Sequence, residues 1–103
     1  MNKFYNFIGI SKKAGYAVEG YNKCEETIKK RKLFLVLLSE EASENTKKKF
    51  SNYSSRYNVR VISGLPKEEL GRCLGLDEIN IVGISNQKMA LQLIKLWEEN
   101  AMI

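Results

Sequence analysis

Two carboxylates, Glu40 and Glu41, stand side by side just after the apolar run Leu33–Leu38. Acids beyond the end of a buried strand often serve as active-site groups in α/β enzymes. General acid–base chemistry also needs a second titratable group poised against them. The chain has no histidine, the side chain most often used for that purpose, and no partner base or metal ligand stands near the pair in the sequence. Glu40 and Glu41 are therefore read as a polar loop capping the next helix. Cys24 and Cys73 are the only cysteines. Two distant thiols with no histidine make neither a disulfide framework nor a metal site, and both read as small core residues. Neither a phosphate-cradling G-x-x-x-x-G-K-[ST] nor a G-x-G-x-x-G pattern is present. Gly71 and Gly75, four apart, suit close helix packing or capping better than ligand binding. The sequence thus assigns no catalytic residue, no metal and no cofactor, and the expectation is a protein that is not an enzyme.

What the sequence does carry is positive charge, unevenly placed. Net charge is +5. Residues 1–32 contain Lys3, Lys12, Lys13, Lys23, Lys29, Lys30, Arg31 and Lys32 against Glu19, Glu25 and Glu26, a surplus of five. In residues 33–103 nine basic and nine acidic side chains cancel. A one-sided field attracts polyanions and speeds their encounter. A merely solubilising surface would look similar, so charge alone leaves both readings open.

These residues need a scaffold, and 103 residues suffice for one domain, residues 1–103, with a core of its own. Phe4, Phe7, Ile8 and Ser11 have helical spacing, with Gly15 as a C-cap. Tyr16–Val18 is a strand candidate and 20–32 a second helix with Tyr21, Cys24 and Ile28 as its apolar stripe. Leu33–Leu38 is continuous enough for a strand buried on both faces. Ser43 is placed to cap a third helix carrying Phe50, Tyr53 and Tyr57. Val59–Ile62 is the next strand. Pro66 opens a fourth helix with Glu68 and Glu69 at its positive end, and Gly75 ends it. Ile79–Ile84 is a strand, and 86–97 a fifth helix with Met89, Ala90, Leu93 and Trp97 facing inward. Alternating strands and helices predict an α/β fold, a three-layer α/β/α sandwich. No apolar stretch is long enough to span a membrane, and the amino-terminal segment does not read as a secretion signal, so a cytoplasmic location is expected.

Four segments, in order, resemble a known family: SKKAGYAVEG at 11–20, LVLLSEEASENTKKK at 35–49, KEELGRCLG at 67–75 and INIVGISNQKMA at 79–90. Together they resemble the kink-turn RNA-binding ribosomal protein family, that of ribosomal protein "L-seven-Ae", in its small bacterial YlxQ-like branch. The resemblance spans about residues 4–97. It implies a three-layer sandwich around a mixed four-stranded sheet, no cofactor, and structured RNA as the partner: a kink-turn or a related ribosomal RNA element, with the ribosome as a further candidate and a monomer as the expected state. Such RNAs are read at distorted loops, where base edges and bulged bases are exposed.

The family's pattern at the start of its second helix is Gly-x-Asn-Glu-x-x-Lys. Gly20 and Asn22 match it. Lys23 stands at the position that is usually acidic and Glu26 at the one that is usually lysine. A carboxylate accepts from guanine N–H groups whereas an ammonium donates to O6 and N7, so the exchanged pair reads something different. Tyr16 occupies the place of a basic side chain in the preceding strand. The resemblance further implies an apolar loop at 78–80 with Ile79 against a flipped base. Lys29 and Lys30 are candidate phosphate contacts by their charge, and Lys12 and Lys13 further candidate RNA contacts. Each residue also has a plainer reading. Asn22 could simply cap its helix, Lys23 and Glu26 could form an exposed i, i+3 pair, and Lys29–Lys32 could be a solvated helix end. Lys47–Lys49 read as a solvated face, and Tyr53, Tyr57 and Trp97 as core. The alternative function is a protein-interaction module in translation or transcription, with incidental RNA affinity.

Overall fold

The apolar run at 33–38 supplies a strand covered on both sides. The computed structural model describes residues 2–101, and in it the elements follow as α1 (Asn2–Lys13), β1 (Ala17–Glu19), α2 (Tyr21–Lys29), β2 (Leu35–Ser39), α3 (Glu44–Tyr57), β3 (Arg60–Leu65), α4 (Lys67–Arg72), β4 (Ile81–Ile84) and α5 (Gln87–Ala101). The sheet runs β1-β4-β2-β3, with β4 antiparallel to both neighbours and β2 parallel to β3. It is the mixed four-stranded sheet the resemblance implies.

All residues of β2 and β4 are buried, because side chains alternate between two covered faces. Leu35 and Leu37 join Phe4 and Ile8 of α1, Leu70 of α4 and Leu93 of α5 on one side. Val36 and Leu38 join Cys24 and Ile28 of α2 and Phe50 and Tyr53 of α3 on the other. This division makes the three layers. Trp97 is part of the first cluster, its ring centroid 5.3 Å from that of Phe4. Burial drives the Cys24 thiol up to about 12 and that of Cys73 to about 11, so both stay protonated and unreactive near neutrality.

Three helices end in the same way. After α1 the N–H groups of Gly15 and Tyr16 reach Lys12 O and Ser11 O, after α2 those of Arg31 and Lys32 reach Ile28 O and Thr27 O, and after α4 those of Gly75 and Leu76 reach Arg72 O and Gly71 O. This paired closure requires a left-handed residue, usually glycine. Gly15 and Gly75 fill that role with φ of 86° and 77°, but after α2 it falls to Arg31 at φ 59°.

That substitution corrects the expected 20–32 helix: α2 stops at Lys29, and Lys30–Lys32 form its closing turn. Strand β4 begins at Ile81, not at Ile79, because the Ile79 N–H is bonded to Lys67 O at 3.1 Å. Strand β3 runs on to Leu65, whose carbonyl accepts from Glu40 N at 2.7 Å. Ser43 caps α3 as expected, accepting from Thr46 N at 3.1 Å. Pro66 sits just outside α4, at its N-cap. Glu41 caps α4 and not α3, accepting from Lys67 N at 3.2 Å. Glu41 is thus a capping carboxylate, though of a different helix from the one expected.

Candidate nucleic-acid interface

The start of α2 and the loop before β4 meet at one end of the sheet. Gly20 N donates to Ile81 O at 3.1 Å, which ties the helix entrance to the first residue of β4. Ser39, at the end of β2, is completely buried, and it holds Asn80 twice: Ser39 N donates to Asn80 O at 2.8 Å and Ser39 Oγ to Asn80 Oδ1 at 2.6 Å. Gly20 has φ 95° and ψ 163°, a conformation open essentially to glycine alone. It turns the chain from β1 into α2, whose first turn carries no side-chain cap.

The loop at 73–80 is pinned at two further points. Lys67 Nζ pairs with Glu78 at 3.2 Å, and the Lys67 ammonium is raised above its ordinary value by that hydrogen bond and charge. Gly71 lies so close to Glu78 that an added Cβ would meet its backbone at 2.6 Å. Gly71 within α4 and Gly75 just after it therefore divide the roles anticipated for them, Gly71 in close packing and Gly75 in capping.

Asn22 and Lys23 are exposed on the first turn of α2. Asn22 is not the helix cap: that position is Gly20, without a side-chain cap bond. Among the described residues the Asn22 amide has no intramolecular partner. Lys23 and Glu26 do not form the i, i+3 ion pair. Glu26 instead accepts from Lys30 Nζ at 3.0 Å, and this contact holds its carboxyl below the usual range, with Lys23 adding a smaller effect. Asn22, Glu26 and Lys30 recur every four residues and form one stripe along the exposed side of α2.

Not every basic candidate joins this end. The nine residues of α2 span about 13 Å, so Lys29 and Lys30 lie at the far end of the helix from Asn22. The Lys29 ammonium sits 5.7 Å from the Tyr53 ring centre, facing α3. Lys12 is already engaged, pairing with Glu19 at 2.9 Å and donating to Leu74 O. Lys13 is exposed and shares with Lys12 an open groove of about 810 Å³ between α1 and the turn after α4. Tyr16 precedes β1 at the opposite end of that strand from Gly20, its carbonyl accepting from Ser85 N.

Ile79 is half-buried against the core below α1, α4 and α5. The exposed apolar residue of this loop is Leu76, at 38%. The sequence signal for it was available. Leu76 follows the capping Gly75, where an apolar side chain normally packs on the residue five positions earlier. That residue is Gly71, which offers no side chain. Among the described residues no cluster of three or more His, Cys, Asp or Glu side chains could hold a metal ion, and no helix is long and apolar enough to cross a membrane.

A mixed sheet between two helical layers, with a glycine-turned helix entrance and a pinned loop at one end, defines a small α/β/α domain. The chain belongs to the ribosomal protein L7Ae/L30e/S12e/Gadd45 family, whose model matches residues 2–93. It is 30% identical over 96 residues to the RNA-binding protein YlxQ of Bacillus subtilis, covering 93% of this chain and 96% of the relative. It is 33% identical over 96 residues to the YlxQ of Enterococcus faecium, with 93% and 92% covered. In fold it matches a Bacillus halodurans protein of unknown function with TM-score 0.88 and 24% identity, over 91% of this chain and 95% of the other. A 15.5kD RNA-binding protein of Giardia lamblia matches with TM-score 0.77 and 14% identity, over 92% and 84%.

Proposed function

We propose that this protein binds structured RNA, without catalysis, and recognises a kinked internal loop through the entrance of α2 and the loop before β4. Family membership and the RNA-binding relatives support the RNA partner. The observation that carries the finer reading is the hydrogen bond from Gly20 N to Ile81 O at 3.1 Å, which places the exposed Asn22 and the 73–80 loop at one end of the sheet. In this reading Asn22 contacts a base edge, Lys23 donates to guanine acceptors or a phosphate, and Glu26 accepts from a base N–H once freed from Lys30. The first N–H groups of α2 receive a phosphate. Leu76 covers a flipped base, with Ile79 supporting the loop beneath it. Lys13, Lys29 and Lys30 add phosphate attraction, and Lys12 braces Glu19 beside Gly20. The kinked target, a ribosomal RNA setting, a monomeric state and a cytoplasmic location belong to this proposal.

Asn22→Ala tests it. One lost base-edge contact amounts to about 1–3 kcal/mol, so the kinked complex should weaken by roughly five- to a hundredfold while binding to plain duplex RNA barely changes. Equal losses on both RNAs would contradict it. The exchanged Lys23 and Glu26 favour a second reading, an internal loop of a different base composition from the family's usual one, bound by the same surface.

A further inference from the structure

At the opposite end of the sheet lies a groove that the proposed interface does not use. It is enclosed by the entry to β2, the end of α3 and one side of α5, has a volume of about 320 Å³, and is lined with Arg31, Phe34, Tyr57, Asn58, Leu91 and Ile94 among others. Two large apolar side chains stand open on it, Phe34 at 37% exposure and Leu91 at 59%. The Arg31 guanidinium lies 5.3 Å from the Tyr57 ring centre. Arg31 and Asn58 are the two described residues other than glycine with positive φ, at 59° and 56°. Both close helices, and both line this groove.

The charge around it is positive. Arg31 lines the groove and the exposed Lys32 follows it in the chain. On α5, Lys88 and Lys95 flank Leu91 at i−3 and i+4 and are exposed. None of these four is in an ion pair among the described residues. Of the two acids on α5, Glu98 and Glu99, Glu98 pairs with Arg60 at 3.3 Å. A half-apolar slot with an aromatic wall, a guanidinium near that wall and unpaired lysines on the flanking elements suits a group that is flat and apolar at one end and anionic at the other. A nucleotide has that form, and bases stack on aromatic and guanidinium planes regardless of sequence.

We propose that this groove holds an unstacked nucleotide from a single-stranded flank of the RNA, so that one RNA spans both ends of the sheet. The proposal rests on the RNA-binding reading but not on kink recognition. The base lies against Phe34 and Leu91 under the Arg31 guanidinium, Asn58 offers its amide to the base edge, and Lys32, Lys88 and Lys95 face the phosphates.

The test compares a blunt kink-turn RNA, the same RNA with a single-stranded tail, and the tail alone as a short oligonucleotide, on the intact protein. The tail should raise affinity at least about fivefold, as expected for one stacked base. Leu91→Glu and Arg31→Gly should abolish that gain and leave blunt-RNA binding within about twofold. Neither change threatens the fold, since Leu91 is exposed and glycine suits φ 59°. The oligonucleotide alone should shift the amide resonances of Arg31, Phe34 and Leu91 even if the kinked RNA shows no preference, which separates this proposal from the previous one. A tail effect that survives both substitutions, or its absence together with unshifted resonances, overturns the proposal. So does concentration-dependent self-association that Leu91→Glu removes, which would assign the groove to a second copy of the chain.

Discussion

The Glu26 carboxylate accepts a hydrogen bond from Lys30 one turn further along α2, at 3.0 Å, and leaves Lys23 unpaired three residues back. The acid that differs from the family's pattern is therefore held by a cation of its own helix, and RNA must compete with Lys30 for it. Lys30→Ala should raise the Glu26 pKa towards the ordinary 4.5, as read by carbon-detected titration of the carboxyl resonance. The same variant should lose about one unit of salt slope, for one lost phosphate contact, while its preference for kinked over plain RNA rises. An unchanged Glu26 titration would show that Lys30 does not hold it.

The exchanged pair yields a second prediction. Lys23→Glu combined with Glu26→Lys restores the usual order of charges while leaving net charge at +5. Non-specific affinity should stay constant because it follows charge, whereas the preferred loop sequence should change. Binding to a panel of kinked loops with altered G·A pairs would measure this. An identical ranking of the panel for both proteins would remove the pair from base recognition.

Two glycines at the proposed interface should fail for different reasons. Gly71→Ala forces a Cβ to within 2.6 Å of the Glu78 backbone, which cannot move without shifting the loop. The cost should be about 1–3 kcal/mol in urea unfolding, and the loop amides from 76 to 80 should lose hydrogen-exchange protection. Gly20→Ala meets nothing within 4 Å, so its penalty is one of backbone conformation at φ 95°, again about 1–3 kcal/mol. A D-alanine placed at position 20 by chemical synthesis should restore stability, whereas the same replacement at 71 should not.

Much of this architecture is legible in the sequence because local chemistry and tertiary fate agree. Ser43 is a cap in both, Leu33–Leu38 contains four of the five residues of the central strand β2, and Gly15 and Gly75 close their helices. The errors arise where a distant contact decides. Arg31 takes the left-handed conformation usually left to glycine, so α2 stops at Lys29, while the place of Lys29 and Lys30 at the far end from Asn22 follows from their spacing alone. The Ile79 N–H bonds Lys67 O across the fold, which takes that residue out of β4 and half-buries its side chain. Lys12 looks free in sequence but reaches Glu19 and Leu74 O. Pairings of this kind join residues far apart in the chain, and spacing cannot report them.

Alkaline pH offers a third kind of test. The Tyr53 hydroxyl donates to Glu25 at 2.5 Å, and this contact pushes its pKa to about 12 from the ordinary 10.0. Burial, with Glu69 beside it, moves Tyr5 to about 12 as well. The folded protein keeps protons that the unfolded chain releases. This stabilisation is therefore complete below pH 10 and is lost as pH rises towards 12. The melting temperature should fall across that interval, and less steeply in Tyr53→Phe. Identical slopes would show that the Tyr53–Glu25 contact contributes nothing to the alkaline transition.

In the proposed function this surface reads a kinked internal loop and does more than attract phosphate. The most direct measurement is the affinity of the wild-type protein for a kink-turn RNA beside a bulge-free duplex of matched length, across a salt series. Preference for the kink should persist as salt rises, because base contacts are less salt-sensitive than phosphate contacts. Equal affinities that fall together steeply with salt would contradict it.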